Sequence, residues 1–283
     1  MLDQIFPSVS SIISITALGA AFGVILSYAK IKLHVERDPR LGYIEEALPG
    51  ANCGACGFPG CSGYATKILD GAAPINLCMV GGADAVERIS RIMDIKAEAL
   101  KPKVARVHCQ GGCDVSNNRF EYNGPKNCAA AQQIREGFKT CAYGCLGFGD
   151  CMEACPFEAI HMSPTGLPVI NYDLCTGCGN CVVACPRNII SMVDKSFDIH
   201  VMCRNIEKAP VMKKGCSVGC TACNRCVKAC KEVFADNPDI ETAITVTNFL
   251  ADIDYTLCIN CGKCAEVCPQ KVIEFNRVPV VVG

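Results

Sequence analysis

Two copies of one cysteine motif constrain this chain more than any other feature. The pattern C-x2-C-x2-C-x3-C-P occurs at Cys175–Pro186 and again at Cys258–Pro269. Three cysteines at two-residue spacing can ligate three irons of a cubane cluster from one loop, and the fourth ligates a neighbouring cluster. Zinc instead prefers two C-x2-C pairs that are separated by a dozen or more residues. The motif therefore predicts paired [4Fe–4S] sites.

The cysteine content of the whole chain supports this interpretation. The 283 residues include 25 cysteines, 4 histidines and no tryptophan. Such a density is typical of disulfide scaffolds or of metal-cluster proteins, and ligation should then supply much of the folding energy. The net charge of −1, from 27 basic and 28 acidic residues, offers no basic field for nucleic acid. We therefore expect no nucleic-acid partner.

The N-terminal segment predicts a membrane anchor. Residues Ile5–Ala29 form 25 consecutive uncharged residues, enough for a helix to cross a hydrocarbon core of about 30 Å. Asp3 precedes this run, whereas a cleaved signal peptide would carry basic residues there. The basic residues follow it, at Lys30, Lys32, Arg37 and Arg40. The positive-inside rule then predicts a single-pass protein of the cell membrane, with its N-terminus outside and its cluster domains in the reducing cytoplasm.

The same segment is expected to anchor the chain and not to conduct ions. Intramembrane ion paths are normally lined by Asp, Glu, Lys, Arg or His residues, and Ile5–Ala29 contains none of these.

An internal repeat organises the C-terminal part. Leu167–Ile190 matches Leu250–Ile273 at a constant offset of 83, and four cysteines upstream of each stretch match at an offset of 75. Short apolar runs alternate with cysteine loops that open short helices. The predicted fold class is α+β: one N-terminal transmembrane helix, a small 4Fe–4S domain, and two tandem bacterial 2[4Fe–4S] ferredoxin-like modules.

The predicted domains follow from these patterns. Apolar residues recur at three- and four-residue steps across 83–100, which indicates an amphipathic helix. A proline-containing linker begins at Lys101. The expected boundaries are 1–30 for the anchor, 31–100 for the 4Fe–4S domain with its helix, 101–135 for a cysteine-bearing linker, 136–200 for module 1, and 201–283 for module 2.

Ligand exchange between motifs predicts four sites in the two modules. In module 2 the sets are Cys220, Cys223 and Cys226 with Cys268, and Cys258, Cys261 and Cys264 with Cys230. In module 1 they are Cys175, Cys178 and Cys181 with Cys155, and Cys141, Cys145 and Cys151 with Cys185. The last set departs from the motif, because Phe148 stands where module 2 has Cys223. A local change of loop geometry is required there.

A further cluster site is predicted upstream, in the sequence CGACGFPGC. Its ligands would be Cys53, Cys56, Cys61 and Cys78. The glycines between them would let the backbone turn closely around a cluster and donate amide hydrogens to its sulfurs. A zinc knuckle is the alternative, because C-x2-C alone also suits zinc.

Five cysteines remain, and they suggest a sixth [4Fe–4S] site. Twenty-five cysteines equal six sets of four plus one. Cys109, Cys113 and Cys128 would be completed by Cys203 or by Cys216, and we favour Cys203 because Cys216 stands at the repeat position of Cys141. The alternative is that these residues are buried or free thiols. His108 adjoins Cys109 and could hydrogen-bond or ligate a cluster, while His34, His161 and His200 are expected to be surface or packing residues.

The sequence lacks a nucleotide-binding motif. It contains neither G-x-G-x-x-G between a strand and a helix nor G-x-x-x-x-G-K-[ST]. Hydride chemistry is therefore expected on another chain, and no catalytic side chain is predicted on this one.

The anchor, CGACGFPGC, the amphipathic helix and the tandem modules, in this order, resemble the B subunit of the Rnf complex over essentially the whole chain. The resemblance implies an electron-transfer subunit of a membrane ferredoxin:NAD⁺ oxidoreductase that translocates Na⁺ or H⁺. It implies reduced ferredoxin as a partner, with flavin and NAD chemistry on other membrane subunits. The cysteines from Cys109 onward resemble the long clostridial-type form.

Two other functions are compatible with the residues. One is a membrane-anchored polyferredoxin that serves another redox complex, such as a hydrogenase. The other is a zinc-stabilised interaction protein.

Overall fold

A computed structural model describes residues 5–32, 38–96, 100–234 and 242–275, with side chains from residue 14 onward. Asp3, His34 and Arg37, which entered the sequence predictions, lie outside these ranges. The chain divides into two compact units, residues 1–43 and residues 44–283. All 25 cysteines lie in described parts of the second unit.

The first unit is dominated by one long helix, α1 (Ile5–Lys32). Its 28 residues span about 42 Å at 1.5 Å per residue, more than the roughly 30 Å of a bilayer core. The segment Ser14–Lys32 has a mean hydropathy of 1.5, and large apolar side chains such as Ile15 and Val24 are exposed. Lys30 and Lys32 lie in the last turn. By length and composition the helix is suited to cross a membrane.

Three helices build the N-terminal part of the second unit: α2 (Pro39–Ala47), which begins in the first unit, α3 (Gly60–Leu69) and α4 (Gly82–Met93). Their largest fully buried side chains are those of Ile44, Tyr64, Ile68 and Ile89. The Tyr64 hydroxyl donates a hydrogen bond to the Pro74 carbonyl at 2.7 Å and accepts one from the Leu77 amide at 2.9 Å. This pair of bonds fixes the loop that precedes Cys78.

The amphipathic helix predicted over 83–100 is shorter than expected. It ends at Met93, because Asp94 adopts the left-handed conformation with a φ of 53° and its amide donates to the Ser90 carbonyl. The Ile95 amide also donates to that carbonyl, at 3.1 Å. These two bonds are a common way to terminate a helix. The buried face comprises Ala85, Val86 and Ile89.

The rest of the described chain contains four two-stranded antiparallel sheets. The pairs are β1 (Lys103–Val107) with β4 (Ile190–Asp194), β2 (Ile160–Met162) with β3 (Pro168–Ile170), β5 (Ile199–Val201) with β8 (Ile273–Phe275), and β6 (Ile244–Thr247) with β7 (Leu250–Ile253). The outer pairs, β1 with β4 and β5 with β8, each enclose in sequence one inner pair, β2 with β3 or β6 with β7. The helices are α5 (Cys128–Gln133), α6 (Asp150–Glu153), α7 (Asn180–Ala184), α8 (Ala209–Gly215), α9 (Arg225–Val233) and α10 (Lys263–Glu266).

The strand pairing moves the predicted module boundaries. Strand β1 lies in the predicted linker 101–135 but pairs along its whole length with β4 of module 1. Strand β5 crosses the predicted boundary between residues 200 and 201, and it pairs with β8 of module 2. Each module thus begins with a strand that closes against the module's last strand. Two buried cores follow this division, one around Ile160 and Ile190, the other around Ile244 and Ile273.

Candidate iron–sulfur centres

The four N-terminal cysteines lie around one cavity of about 330 Å³. These are Cys53, Cys56, Cys61 and Cys78. Cys61 lies in the first turn of α3, and its amide donates to Asn52 Oδ1 at 2.8 Å. Gly60 has a φ of +80°, and a Cβ there would lie 2.8 Å from the same Oδ1. The turn that presents Cys61 therefore requires glycine.

Module 2 brings its cysteines together in the two predicted groups. Cys230, Cys258, Cys261 and Cys264 line a cavity of about 360 Å³. Around Cys226, burial and then the thiols of Cys220, Cys223 and Cys268 raise its pKa to about 11. Cys230 follows the first cysteine loop in sequence but lies with the three cysteines of the second loop. Cys268 follows the second loop but lies near the cysteines of the first. This is the ligand exchange that the motif predicts.

The regular motif of module 1 has the same arrangement. Burial, and then the neighbouring Cys175, Cys178 and Cys155 among other thiols, raise the pKa of Cys181 to about 12. The Ala105 amide of β1 donates to Cys175 Sγ at 3.5 Å. The loop approaches β1 closely, because a Cβ on Gly177 would lie 2.4 Å from the Lys103 carbonyl oxygen.

Around the irregular motif of module 1, the grouping of cysteines differs from the predicted set. A cavity of about 360 Å³ is lined by Cys128, Cys145, Cys151 and Cys185, so Cys128 lies where Cys141 was expected. The Asp150 carboxylate explains this placement. It accepts hydrogen bonds from the amides of Cys128 and Ala129 at 2.7 and 3.1 Å, which ties the start of α5 to α6 beside Cys151.

Phe148 explains why the motif of module 1 departs from the regular spacing. Its ring lies 5.5 and 5.6 Å from those of Phe138 and Tyr122, in a cluster of three aromatic rings. The position that carries a cysteine in module 2 is thus used for packing. A sequence count could not reveal that Cys128, twenty residues upstream, replaces it.

A cavity of about 400 Å³ holds the remaining grouped cysteines, which are Cys109, Cys141, Cys203 and Cys216. The predicted set of Cys109, Cys113, Cys128 and Cys203 is therefore split in the structure. Cys128 lines the module 1 cavity, and Cys113 is exposed. Both residues weighed as the fourth ligand, Cys203 and Cys216, lie here together.

His108 has partners other than a cluster. One ring nitrogen lies 2.7 Å from the Val201 carbonyl and the other lies 2.6 Å from the Ser191 hydroxyl. Burial lowers the pKa of His108 to about 4, so the ring is neutral. His200 is buried beside it, with Nε2 3.0 Å from Glu274. His108 directly follows β1, and His200 is the central residue of β5, where it pairs with Glu274 of β8.

The geometry of the cysteines suits clusters better than single ions. All 25 cysteines, which lie within the described ranges, are free of disulfides. No group of three or more His, Cys, Asp or Glu side chains in the described part of the chain could hold one metal ion. Zinc would need four ligand atoms within about 2.3 Å of a single centre. Cysteines spread around a cavity instead leave room for a polynuclear cluster.

Burial of the thiols points to the same ligand. It raises the pKa of Cys145, Cys151 and Cys264 to about 12. A thiolate is the form that ligates metal, and burial disfavours it unless positive charge lies beside it. Iron would supply that charge. The four-cysteine cavities therefore fit [4Fe–4S] clusters.

Three protein families match parts of the chain. The FeS family, whose description is an Fe-S cluster, matches residues 48–80. The 4Fe-4S binding domain matches residues 168–191, and the 4Fe-4S dicluster domain matches residues 219–273. These ranges contain the N-terminal cavity, the regular motif of module 1 and both loops of module 2.

Curated relatives match nearly the whole chain. The B subunit of an ion-translocating oxidoreductase complex from Methanosarcina acetivorans is 39% identical, over 95% of this chain and 98% of the relative. The B subunit of the Na⁺-translocating ferredoxin:NAD⁺ oxidoreductase complex of Acetobacterium woodii is 42% identical, over 90% and 74%. The chain belongs to the Rnf B-subunit family. The corresponding subunit of the proton-translocating complex of Clostridium ljungdahlii, 38% identical over 93% and 90%, is another member.

The match confirms the family inferred from the motifs, including its long form. An Rnf B subunit is an iron–sulfur electron-transfer subunit, and the many cysteines of this one fit that role. In the part of the chain that the structure describes, one helix, near the N-terminus, could cross a membrane by its length and composition, which is consistent with an anchor.

Proposed function

We propose that this chain accepts electrons from reduced ferredoxin and relays them to partner subunits of an ion-translocating ferredoxin:NAD⁺ oxidoreductase. The observation that carries the proposal is the convergence of cysteines in fours around separate cavities of one compact unit. Relatives named for Na⁺ and for proton translocation are about equally similar to the chain. Ion movement is assigned to the partners, because the uncharged stretch of α1 has no Asp, Glu, Lys, Arg or His residue.

Five ligand sets follow from the cysteine positions. They are Cys53, Cys56, Cys61 and Cys78; Cys128, Cys145, Cys151 and Cys185; Cys155, Cys175, Cys178 and Cys181; Cys220, Cys223, Cys226 and Cys268; and Cys230, Cys258, Cys261 and Cys264. A bound [4Fe–4S] cluster supplies one-electron oxidation and reduction. The cysteine thiolates would hold the irons, and backbone amides would donate to the sulfurs, as the Gly81 amide does to Cys78 Sγ at 3.3 Å.

Neighbouring sites are close enough to form a series. The Asn180 side chain donates to the Cys53 carbonyl at 3.5 Å, which joins the N-terminal site to the regular motif of module 1. Burial is the main cause of the raised pKa of Cys178, and Cys53 is the first thiol that adds to it. Within module 1, Cys151 lies near enough to Cys181 to contribute to its raised pKa after burial and the thiols of its own loop.

The proposed topology has the N-terminus outside and the cluster domains in the cytoplasm. Lys30 and Lys32 at the end of α1 support it through the positive-inside rule. An epitope placed before residue 5 should bind antibody on spheroplasts whose cell membrane is intact. An epitope placed after residue 275 should bind antibody only after the membrane is permeabilised. The reverse pattern would contradict this topology.

The proposed function is tested by anaerobic purification from detergent-solubilised membranes. We expect integral membrane and flavin-bearing proteins to copurify, and reduced ferredoxin to bleach the visible absorption of the clusters. A chain that is isolated alone and is reduced by another donor, but not by ferredoxin, would instead support a different redox complex. Stoichiometric zinc with no acid-labile sulfide would contradict electron transfer altogether.

A further inference from the structure

The cavity lined by Cys109, Cys141, Cys203 and Cys216 lies between the two ferredoxin-like modules. Its four cysteines form two pairs that the internal repeat relates. Cys109 follows β1 by two residues, and Cys203 follows β5 by two residues. The peptide before each is held alike: the His108 amide donates to the Ile189 carbonyl and the Met202 amide to the Val272 carbonyl, both at 2.6 Å.

The second pair, Cys141 and Cys216, occupies equivalent positions in the repeat, 75 residues apart. The backbones of the two modules approach each other here, because a Cβ on Gly215 would lie 3.1 Å from the Cys141 amide nitrogen. An isolated bridge between Ser116 and Cys216 joins the loop after β1 to module 2. Each module thus contributes one cysteine that follows its first strand by two residues, and one that lies four residues before Cys145 or Cys220.

Hydrogen-bond donors already surround these sulfurs. The amides of Gly111 and Cys145 donate to Cys109 Sγ at 3.4 and 3.3 Å. The Cys220 amide donates to Cys203 Sγ at 3.4 Å, and the buried Asn205 side chain donates to Cys141 Sγ at 3.3 Å. Backbone and side-chain donors of this kind support the thiolates of iron–sulfur sites.

Lys139 indicates the charge of the group that this cavity would hold. It also lines the cavity, only 4% of its surface is exposed, and its Nζ donates to the Gly111 carbonyl at 2.9 Å. Among the ion pairs found in the described ranges, none includes Lys139. A buried cationic side chain is costly without a negative partner. Four thiolates around a [4Fe–4S] core carry a net negative charge.

We infer that Cys109, Cys141, Cys203 and Cys216 bind a [4Fe–4S] cluster that bridges the two modules, and that Lys139 raises its reduction potential. This inference rests on the proposed electron-transfer function and deepens it. All four cysteines lie outside the ranges that the three families match. Cys113 is then the twenty-fifth cysteine, and it binds no cluster.

The position of this bridging site completes the series of sites. The Cys145 amide that donates to Cys109 belongs to the irregular motif of module 1. The Cys220 amide that donates to Cys203 belongs to the first motif of module 2. The bridging site therefore has a ligand-bearing loop of each module directly against it. With the bridging site included, the six proposed sites form a connected series from the Cys53 site to the Cys258 site.

Ligand substitution in the full chain tests the site. Cys203→Ser and Cys216→Ser should each reduce iron and acid-labile sulfide by one cluster, and Cys113→Ser is the matched control that should leave both unchanged. Loss of iron in Cys113→Ser, or full iron and sulfide in Cys216→Ser, would overturn the inference. Absence of sulfide from the unmodified protein would instead overturn the proposed function.

A second variant tests the site without removing a ligand, in case the serine variants fold poorly. Lys139→Met should retain all iron but lower the potential of one cluster, identified as the electron paramagnetic resonance signal that Cys203→Ser lacks. At fixed applied potential we expect its reduced-to-oxidised ratio to fall about tenfold, which corresponds to about 59 mV for one electron. Lys139→Arg, which keeps the charge, should change it much less. An unchanged midpoint in Lys139→Met would refute the role of Lys139.

Discussion

At the scale of single residues, cysteines that belong to the same motif do not all line the same cavity. Cys141 and Cys151 stand in one irregular motif, yet they line different cavities. Cys128 completes the second cavity from a helix start that the Asp150 carboxylate holds. Spacing along the chain is therefore a poor guide wherever a ligand comes from outside the motif.

Replacement of Cys128 tests this assignment. Cys128→Ser should remove one cluster from the protein, because a serine hydroxyl is a much weaker iron ligand than a thiolate. The measurement is anaerobic iron and sulfide analysis, with the exposed Cys113→Ser as the control. Unchanged iron in Cys128→Ser together with a loss in Phe148→Ala would show that the cavity is assigned wrongly.

Two glycines of the regular module 1 motif form a matched pair. Gly177 and Gly179 have φ values of +75° and +82°, so alanine at either costs about 1–2 kcal/mol of backbone strain. Only the Cβ at 177 would lie 2.4 Å from a backbone oxygen, that of Lys103, while the space around the Cβ at 179 is open. Gly177→Ala should therefore release iron at a clearly lower temperature than Gly179→Ala. Equal midpoints would argue against the close approach of β1.

Much of the candidate site could be predicted from the sequence, and the failures have physical causes. The regular motifs predict the groupings around Cys181, Cys226 and Cys264, because loop spacing and ligand exchange are local properties. The groupings of Cys109, Cys128 and Cys141 depend on where separate segments meet. Strand ends, an aspartate at a helix start and a buried lysine determine where these segments meet. None of these features can be recognised from the spacing of the cysteines.

At the scale of elements, short strands escaped prediction more than helices did. Strand β5 has three residues and β1 has five, too few for a clear alternation, and β1 adjoins a proline that indicated a linker. The helix α4 was recognisable from its apolar period, but its last turn was not, because a left-handed Asp94 ends it. The extent of each module is set by strands that pair although they lie far apart in sequence.

The buried face of α4 allows a stability prediction. Ile89→Ala leaves a cavity at a fully buried position and should cost about 2–5 kcal/mol. Glu87→Ala on the same helix removes an exposed pair with Arg91 and should cost about 0.5 kcal/mol or less. Thermal loss of visible cluster absorption should thus begin earlier in Ile89→Ala. Similar curves for both variants would mean that α4 contributes little to the stability of the N-terminal site.

At the scale of the whole molecule, cysteine sulfur occupies much of the interior. Five cysteines and eight aliphatic residues form the buried core of module 2. A core of this kind leaves buried thiols without partners when iron is absent. We therefore expect metal binding and folding to be coupled in the unit of residues 44–283.

Removal of iron tests this coupling. Anaerobic oxidation followed by chelation should abolish the strand signal in circular dichroism and the amide protection of β1 and β5, while α1 in detergent remains helical. Reconstitution with iron and sulfide under reducing conditions should restore both. Native amide protection in the iron-free protein would show that side-chain packing alone holds the modules.

The bridging site between the modules has a consequence for biosynthesis. Its ligands span from Cys109 to Cys216, so three quarters of the chain must leave the ribosome before all four are available. The N-terminal site, complete at Cys78, can receive its cluster far earlier. Insertion of the bridging cluster is thus a late step, and a chain truncated within module 2 before residue 216 carries a module 1 that has no complete route to its neighbour.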